Sequence, residues 1–337
     1  PQLHLQSIPY KKKKTIDSSI IAFATTMDTT SHEFVWTVDT IGVRSYLYDV
    51  AIINENNVWA VGEIHLNNND TLYDVAQWNG LQWNFLKASG FPAYAVYAFS
   101  ANDVWIGTTA PHHWNGQSWI GYNVTGIFNG YIKRMWGISS SNLYIVGSNG
   151  SMAHFNGSQW TKLESGTSIN LRDIWGSPDG SNLWACGYRG DQSESILLHS
   201  SNGTSWQEYG HAPPYGIYQD LFSSVWFPRN DSAYVVGNKN IFRHSPNSAT
   251  GYKKNPLTLG NFPYCIRGND RNDIVIAGDD GMVWHFNGVT WKRYAELFNP
   301  LDDLSSVAIS GNTIVAVGGR YYNGIRWTGI IYKGVRQ

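Results

Sequence analysis

The chain has 337 residues, enough for one large all-β domain or two ordinary ones, with 42% hydrophobic residues, 15% aromatic residues and 16 Trp. This content allows a substantial core and favours strands over helices, because bulky aromatic side chains fit a pleated, half-buried surface. Charged residues are 15% and the formal net charge is −1, so bulk electrostatics attract neither nucleic acid nor an anionic membrane, and no stretch approaches the roughly 20 apolar residues of a membrane span.

Taken in order, residues 1–32 stand apart from the rest. The start at Pro1 suggests a processed or trimmed N-terminus. Lys11 to Lys14 reads as a solvated linker, followed by a strand-like stretch within about 18–26, Ile20-Ile21-Ala22-Phe23, and a Thr-rich linker. A lone strand is not stable by itself. Ile20, Ile21 and Phe23 are therefore candidates for an assembly arm that adds to a sheet edge of another copy, head to tail. The alternative is an arm that packs on its own chain or is disordered.

From Glu33 a repeat takes over. Seven alternating apolar runs close on Gly: Val58 to Gly62, Val104 to Gly107, Leu143 to Gly147, Leu183 to Gly187, Ala233 to Gly237, Ile274 to Gly278 and Thr313 to Gly318. The closing glycines lie 40–50 residues apart, a period that marks propeller blades rather than a helical solenoid. Leu143 to Lys162 shows the unit most cleanly, with Asn149-Gly150 and Asn156-Gly157 as turns. Asn-Gly between alternating runs is a hairpin signal, because both residues tolerate positive φ. Trp83, Trp119, Trp160 and Trp291 follow the second turn at fixed spacing, the fourth repeat keeps only Asn202-Gly203 and Trp206, and the fifth is degenerate around His244 to Tyr252. An all-β, seven-bladed propeller with four antiparallel strands per blade is expected over 33–337.

The ends predict how the ring closes. Gly318 to Asn323 is too short for a third strand, so Asn323-Gly324 reads as the turn between the second and third strands and Gly329 to Tyr332 as the third. The fourth is expected from the other end of the chain: Glu33 to Val38, carrying Phe34, Val35 and Trp36, should complete the C-terminal blade and cover its open edge.

No catalytic constellation emerges. His113, His154 and His285 occupy one slot in blades 2, 3 and 6, too far apart for one metal ion, and are expected to make structural hydrogen bonds. The recurrent Trp residues should fill the gaps between blades. Cys186 and Cys265, in non-adjacent repeats, are expected as buried free thiols. In each inner strand an aliphatic slot (Val50, Val96, Met135, Ile174, Val225, Ile266, Val307) sets the register. The preceding residues are Asp49, Ala95, Arg134, Asp173, Ser224, Cys265 and Ser306, and the following ones include Tyr97, Trp136, Trp175, Trp226 and Arg267. The arginines fall in different slots and are expected to lie apart, with Arg134–Asp173 as a structural ion pair. Tyr97, Trp136, Trp175 and Trp226 form an arc that could stack a ligand, with inter-blade packing the favoured role. No cofactor or metal is expected.

The pattern carried by Asp103-Val104-Trp105, Leu143 to Trp160 and Ile274 to Trp291 resembles exported bacterial β-propeller proteins of poorly assigned function, near kelch-like and sialidase-box repeats. Asn202-Gly203-Thr204-Ser205-Trp206 is similar to a shortened sialidase box, a structural turn in those proteins, and Ile20 to Thr26 is similar to the last strand of the fibronectin type III-like domain that precedes some of the propellers. Low charge, abundant Asn, Gly, Ser and Trp, and several Asn-X-Ser/Thr triplets, including Asn69, Asn123, Asn156, Asn202 and Asn230, agree with a secreted or cell-surface protein. The expected function is a non-enzymatic structural or interaction module, a filament subunit assembling through its N-terminal strand. Its partners would be copies of itself, other surface proteins or glycans. The alternative is a carbohydrate-binding or carbohydrate-active propeller, a lectin, hydrolase or lyase, that uses the channel mouth.

Overall fold

The computed structural model describes residues 29–67, 71–209, 221–228, 233–244, 252–322 and 326–337. They form seven four-stranded antiparallel sheets. Their inner strands are β2 (Tyr46–Asn54), β6 (Ala95–Ser100), β10 (Ile132–Ser139), β14 (Leu171–Gly176), β18 (Phe222–Trp226), β22 (Pro263–Asp270) and β26 (Asp302–Ser310). Each packs against the inner strands on both sides, so the seven close a ring around a channel. The degenerate fifth repeat still supplies four strands, the last two being Asn240–His244 and Tyr252–Thr258. In blade 4 the outer strand shrinks to Gln207–Glu208.

Ring closure follows the expected pairing over a longer span. β1 (Phe34–Ile41) pairs with β28 (Arg326–Arg336), with Phe34 opposite Arg336, Val35 opposite Val335, Trp36 opposite Gly334 and Ile41 opposite Gly329. The expected Glu33 to Val38 thus extends to Ile41, and the third strand outgrows Gly329 to Tyr332 at both ends. β27 (Thr313–Tyr322) and β28 flank 323–325, where the turn was expected and which lie outside the described residues. Phe34 and Trp36 point inward and pack on Tyr294, with ring centres 6.2 Å and 5.0 Å away, while Val35 points out and is 55% exposed. Ahead of β1, the Thr30 hydroxyl donates to the Asn272 carbonyl at 2.7 Å, and His32 Nδ1 lies 2.7 Å from Nδ1 of the buried His285.

The turns work by two mechanisms, where one was expected. Two positive φ values occur at Asn149-Gly150 (57° and 68°) and again at Asp280-Gly281. At the outer turns only the glycine is left-handed, as at Gly80 (93°) and Gly157 (92°). There the Asn side chain acts instead: Oδ1 of Asn79 accepts from the N–H groups of Leu81 and Gln82, and Asn156 does the same for Ser158 and Gln159. The outer loop is therefore a four-residue turn held by an Asn side chain.

The closing glycines have a steric cause. A Cβ on Gly147 would fall on the carbonyl oxygen of Tyr131, just before the neighbouring inner strand, and Gly62, Gly187, Gly237, Gly278 and Gly318 meet the matching carbonyls of Tyr46, Asn170, Leu221, Phe262 and Asp303. Gly147 itself is extended (φ −179°), so space rather than backbone freedom selects it. Gly147→Ala is expected to lose about 1–3 kcal/mol in urea unfolding, since the clash is with backbone and cannot relax by a rotamer change. An unchanged midpoint would show that the strand yields freely.

Between blades the tryptophans pack as expected: Trp119 meets Trp59 of the preceding blade at 6.2 Å, and Trp160 meets Trp105 at 6.1 Å. Cys186 and Cys265 are both buried free thiols.

Candidate functional site

In six of the seven inner strands the pairing with the second strand slips by one residue just before the aliphatic slot, between Leu47 and Asp49, Ile132 and Arg134, Leu171 and Asp173, Phe222 and Ser224, Pro263 and Cys265, and Leu304 and Ser306. Successive residues of a regular strand face opposite ways. A bulge re-aims the extra residue. Here it lets two successive residues serve the channel: Tyr48, Lys133, Arg172, Ser223, Tyr264 and Ser305 line the mouth, and the residues after them form its floor. Tyr94, just before β6, completes the ring, its N–H donating to Gly107 at 2.7 Å.

The floor is an ion network. Arg134 bonds Asp49 and lies 3.2 Å from Asp173, so the expected Arg134–Asp173 pair forms. Arg267 reaches the same carboxylate with two bonds, at 2.8 Å and 2.9 Å. The expectation that the arginines lie apart is thus corrected, because their reach, not their Cα slot, brings both onto Asp173. Ser306 donates to Asp49 at 2.7 Å, Ser224 donates to Asp173, and the backbone N–H groups of Val50, Val96, Ile174 and Val225 donate to the same two carboxylates. Burial would raise the Asp173 carboxyl, but Arg267 and Arg134 outweigh it and hold it below the usual range. Two arginines balance two aspartates, and the network plugs the channel.

Above the plug is a blind cavity of about 260 Å³, the upper mouth, lined by Tyr46, Tyr48, Tyr94, Lys133, Arg172 and Tyr264, with Arg134 beneath. The serines of this ring hold blades together, Ser223 donating to the Pro263 carbonyl and Ser305 to that of Leu47. The tyrosines form a wall, with ring centres 5.0 Å apart for Tyr46–Tyr48, 4.6 Å for Tyr48–Tyr94 and 4.8 Å for Tyr94–Tyr131. The Lys133 ammonium sits 4.1 Å from the Tyr94 ring centre, and the Arg172 guanidinium 3.7 Å from that of Tyr188. Burial and the nearby Arg172 push the Lys133 amine down to about 8, and burial raises the Tyr48 phenol to about 12. On the blade 6–7 side of this face, burial together with Asp279, Asp280 and Asp302 lifts the Asp303 carboxyl to about 6.

At the lower mouth the sequence-predicted arc is brought together around a cavity of about 430 Å³ lined by Tyr97, Trp136, Trp175 and Trp226. Trp136 and Trp226 are buried, their rings lying on Gly176 and Gly268 of the next blade. Tyr97 and Trp175 are half-buried, donating to the carbonyls of Gly137 and Phe227, and Arg267 stacks over Trp175 at 4.8 Å.

The histidine slot is structural in the way expected. His113 bonds Asp103 at 2.8 Å, His154 bonds Asn142 at 2.8 Å, and His285 bonds Asp273 at 2.7 Å. His199, which sequence reasoning passed over, bonds Asn182 at 2.9 Å in blade 4. His32 is pushed down to about 4 by burial and by His285. The unfolded chain therefore takes up this proton first, so the contribution is whole above pH 6.5 and is lost as pH falls from 6.5 to about 4. Raised Asp303 opposes the trend between roughly pH 4 and 6. Urea unfolding should show wild type losing more stability than His32→Gln between pH 7.5 and 5. Parallel pH profiles would refute the assignment.

Ile20, Ile21 and Phe23 lie outside the described residues. Sequence reasoning missed Tyr48, Lys133, Arg172 and Tyr264. Their signal is the position two before the aliphatic slot, which belongs to the channel only because of the bulge.

No protein-family model matches the chain, and no curated protein matches it in sequence. Solved structures match over most of its length. YCF48 bound to D1 peptide aligns with a TM-score of 0.69 at 15% identity, covering 93% of this chain and 100% of that one. YCF48 from Cyanidioschyzon merolae aligns with a TM-score of 0.66 at 14% identity, covering 89% and 98%. Virginiamycin B lyase from Staphylococcus aureus aligns with a TM-score of 0.64 at 11% identity, covering 90% and 100%. The chain is thus a seven-bladed β-propeller, similar in fold to propellers with unlike functions.

Proposed function

We propose that this propeller is a non-catalytic interaction module, exported from the cell, that docks a protein partner at the upper mouth of its channel. The observation that carries the reading is the contrast between floor and mouth. The axial acids and bases are bound to one another in a buried, charge-balanced network, which leaves no carboxylate there free to move a proton. The mouth above offers a tyrosine wall and two cations, a binding surface rather than a proton-transfer site. A similar fold is recorded with a bound peptide. The test is a peptide array beside a glycan array and a panel of glycoside substrates. Peptide binding without turnover is expected. Glycan binding alone, or release of any sugar, would overturn it.

Head-to-tail assembly through Ile20, Ile21 and Phe23 remains part of this proposal. An acceptor is at hand: the outward Val35 borders a largely apolar cavity of about 390 Å³ with Trp78, Trp83 and Val335, beside the open edge of β1. The full chain should form larger species than a chain starting at Thr30 in size exclusion and electron microscopy. Identical monomers would rule assembly out. One feature favours a carbohydrate-active alternative: on the upper face, burial and the neighbouring Asp279, Asp280 and Asp302 lift the Asp303 carboxyl to about 6. A glycosidase or lyase activity abolished by Asp303→Asn would establish it.

A further inference from the structure

Lys133 and Arg172 are adjacent cations on neighbouring inner strands, and among the described residues neither makes an ion pair. Each instead rests on a tyrosine ring. The Nε of Arg172 is buried and has no hydrogen-bond partner. That nitrogen is covered, so an incoming acceptor would meet the outer N–H groups of the guanidinium, which suit a planar anion. Within the plug below, Arg134 Nε also lacks a hydrogen bond, but each charge there has an ionic partner, which Lys133 and Arg172 lack among the described residues. The blade 3–4 side of the mouth is therefore locally positive, whereas Asp279 and Asp303 act on Tyr46 and Tyr264 on the blade 6–7 side, and because the floor blocks passage a ligand enters end-on.

We propose that this cavity is a carboxylate receptor, in which Arg172 clamps the C-terminal carboxylate of a partner protein's chain end and Lys133 neutralises it from the blade 3 side. The inference rests on the reading of the mouth as a docking site and names the group that docks. A planar guanidinium suits a carboxylate through paired N–H bonds, and the ammonium acts as a point charge beside it. The tyrosine wall from Tyr46 to Tyr94 then holds the residue behind the carboxylate, offering apolar ring faces to its stem and hydroxyls at the rim. A cavity of about 260 Å³ admits one terminal residue, not a continuous polymer. The groups facing the Lys133 ammonium are Arg172, Tyr94 and Tyr131, none of them a carboxylate. An anion arriving there therefore restores the proton affinity that burial and Arg172 remove, and binding should weaken above pH 8 as free Lys133 deprotonates.

The experiment is equilibrium binding of three probes to the full chain: a pool of hexapeptides with free C-termini and no acidic side chains, the same pool amidated, and oligogalacturonate as a sugar-borne carboxylate. The free-acid pool should bind, and amidation should weaken it at least about tenfold, the scale of one charge-assisted hydrogen bond. Arg172→Gln and Lys133→Gln should each weaken it by a similar factor. Lys133→Arg should bind as wild type but with a flat profile from pH 7 to 9, which a merely structural role would not produce. Near-UV circular dichroism checks that the variants keep the fold. Equal binding of acid and amide overturns the carboxylate receptor while leaving the docking module standing. Binding of oligogalacturonate alone, lost in Arg172→Gln, keeps the carboxylate chemistry and overturns the protein partner. No binding of any probe overturns both.

Discussion

Asp173→Ala is expected to destabilise the protein by about 3–5 kcal/mol, the range for breaking a buried ion pair by removing one partner. Asp173 is fully buried and, among the described residues, is the carboxylate that both Arg134 and Arg267 pair with. Without it Arg134 keeps Asp49, but Arg267 is left with the carbonyls of Ile266 and Val225, the Ser224 hydroxyl and the more distant charge of Asp49, with no direct ion-pair partner. The N–H of Val225 loses its acceptor as well. Because the carboxyl is held below its ordinary value, its contribution is present above about pH 4 and is lost as pH falls through the lowered folded value. Urea unfolding at pH 7 reads the whole effect. A loss under 1 kcal/mol would show that water replaces the carboxylate and that the plug does not hold the ring. Asp173→Asn separates charge from shape, since it keeps acceptors for Val225 and Ser224 but not the neutralisation of Arg267.

Trp105→Ala should cost about 3–5 kcal/mol for a different reason, the cavity and lost contacts of a large core side chain. Trp105 is 1% exposed. Its ring stacks on His113 with centres 4.3 Å apart and touches Tyr122, Phe155 and Trp160, the last two from the next blade. Its indole N–H donates to Ser140 at 2.8 Å, and Ser140 in turn donates to Asp103 at 2.7 Å. One residue thus joins blades 2 and 3 by packing and by a hydrogen-bond chain. Trp105→Phe keeps most of the packing but leaves Ser140 without its donor, so calorimetry should place it between wild type and Trp105→Ala. If Phe were as damaging as Ala, the hydrogen bond rather than the ring would dominate the junction.

Much of the channel was written in the sequence at one remove. The slot before Val50, Val96, Met135 and Ile174 contains Asp49, Arg134 and Asp173, which the structure gathers at the axis. The pairing of Arg267 with Asp173 was not legible, because it spans three blades and depends on the length of a side chain rather than on register. The binding mouth was hidden by strand alternation: Lys133 and Arg172 precede residues already assigned to the channel, and ordinary alternation sends them away from it. The bulges that return them leave one trace, the glycine that closes the second strand of each such blade and makes room for a carbonyl at the inner strand's start; Gly107 of blade 2, which has no bulge before its aliphatic slot, meets the Ile132 side chain instead. Among the described residues the Asn-Gly turns fall where expected, although at the outer turns the Asn acts through its side chain, since Gly following Asn marks the same place for either mechanism.

By itself the sequence determined the blade count, the strand order and the closure of the ring by Phe34 to Trp36. These follow from alternation, turn residues and spacing, which are local or periodic and survive in a one-dimensional string. Only the tertiary structure decided what the channel presents. Which charges cancel, and which stay unmatched at the mouth, depends on side chains from distant repeats meeting across an axis that no single repeat contains.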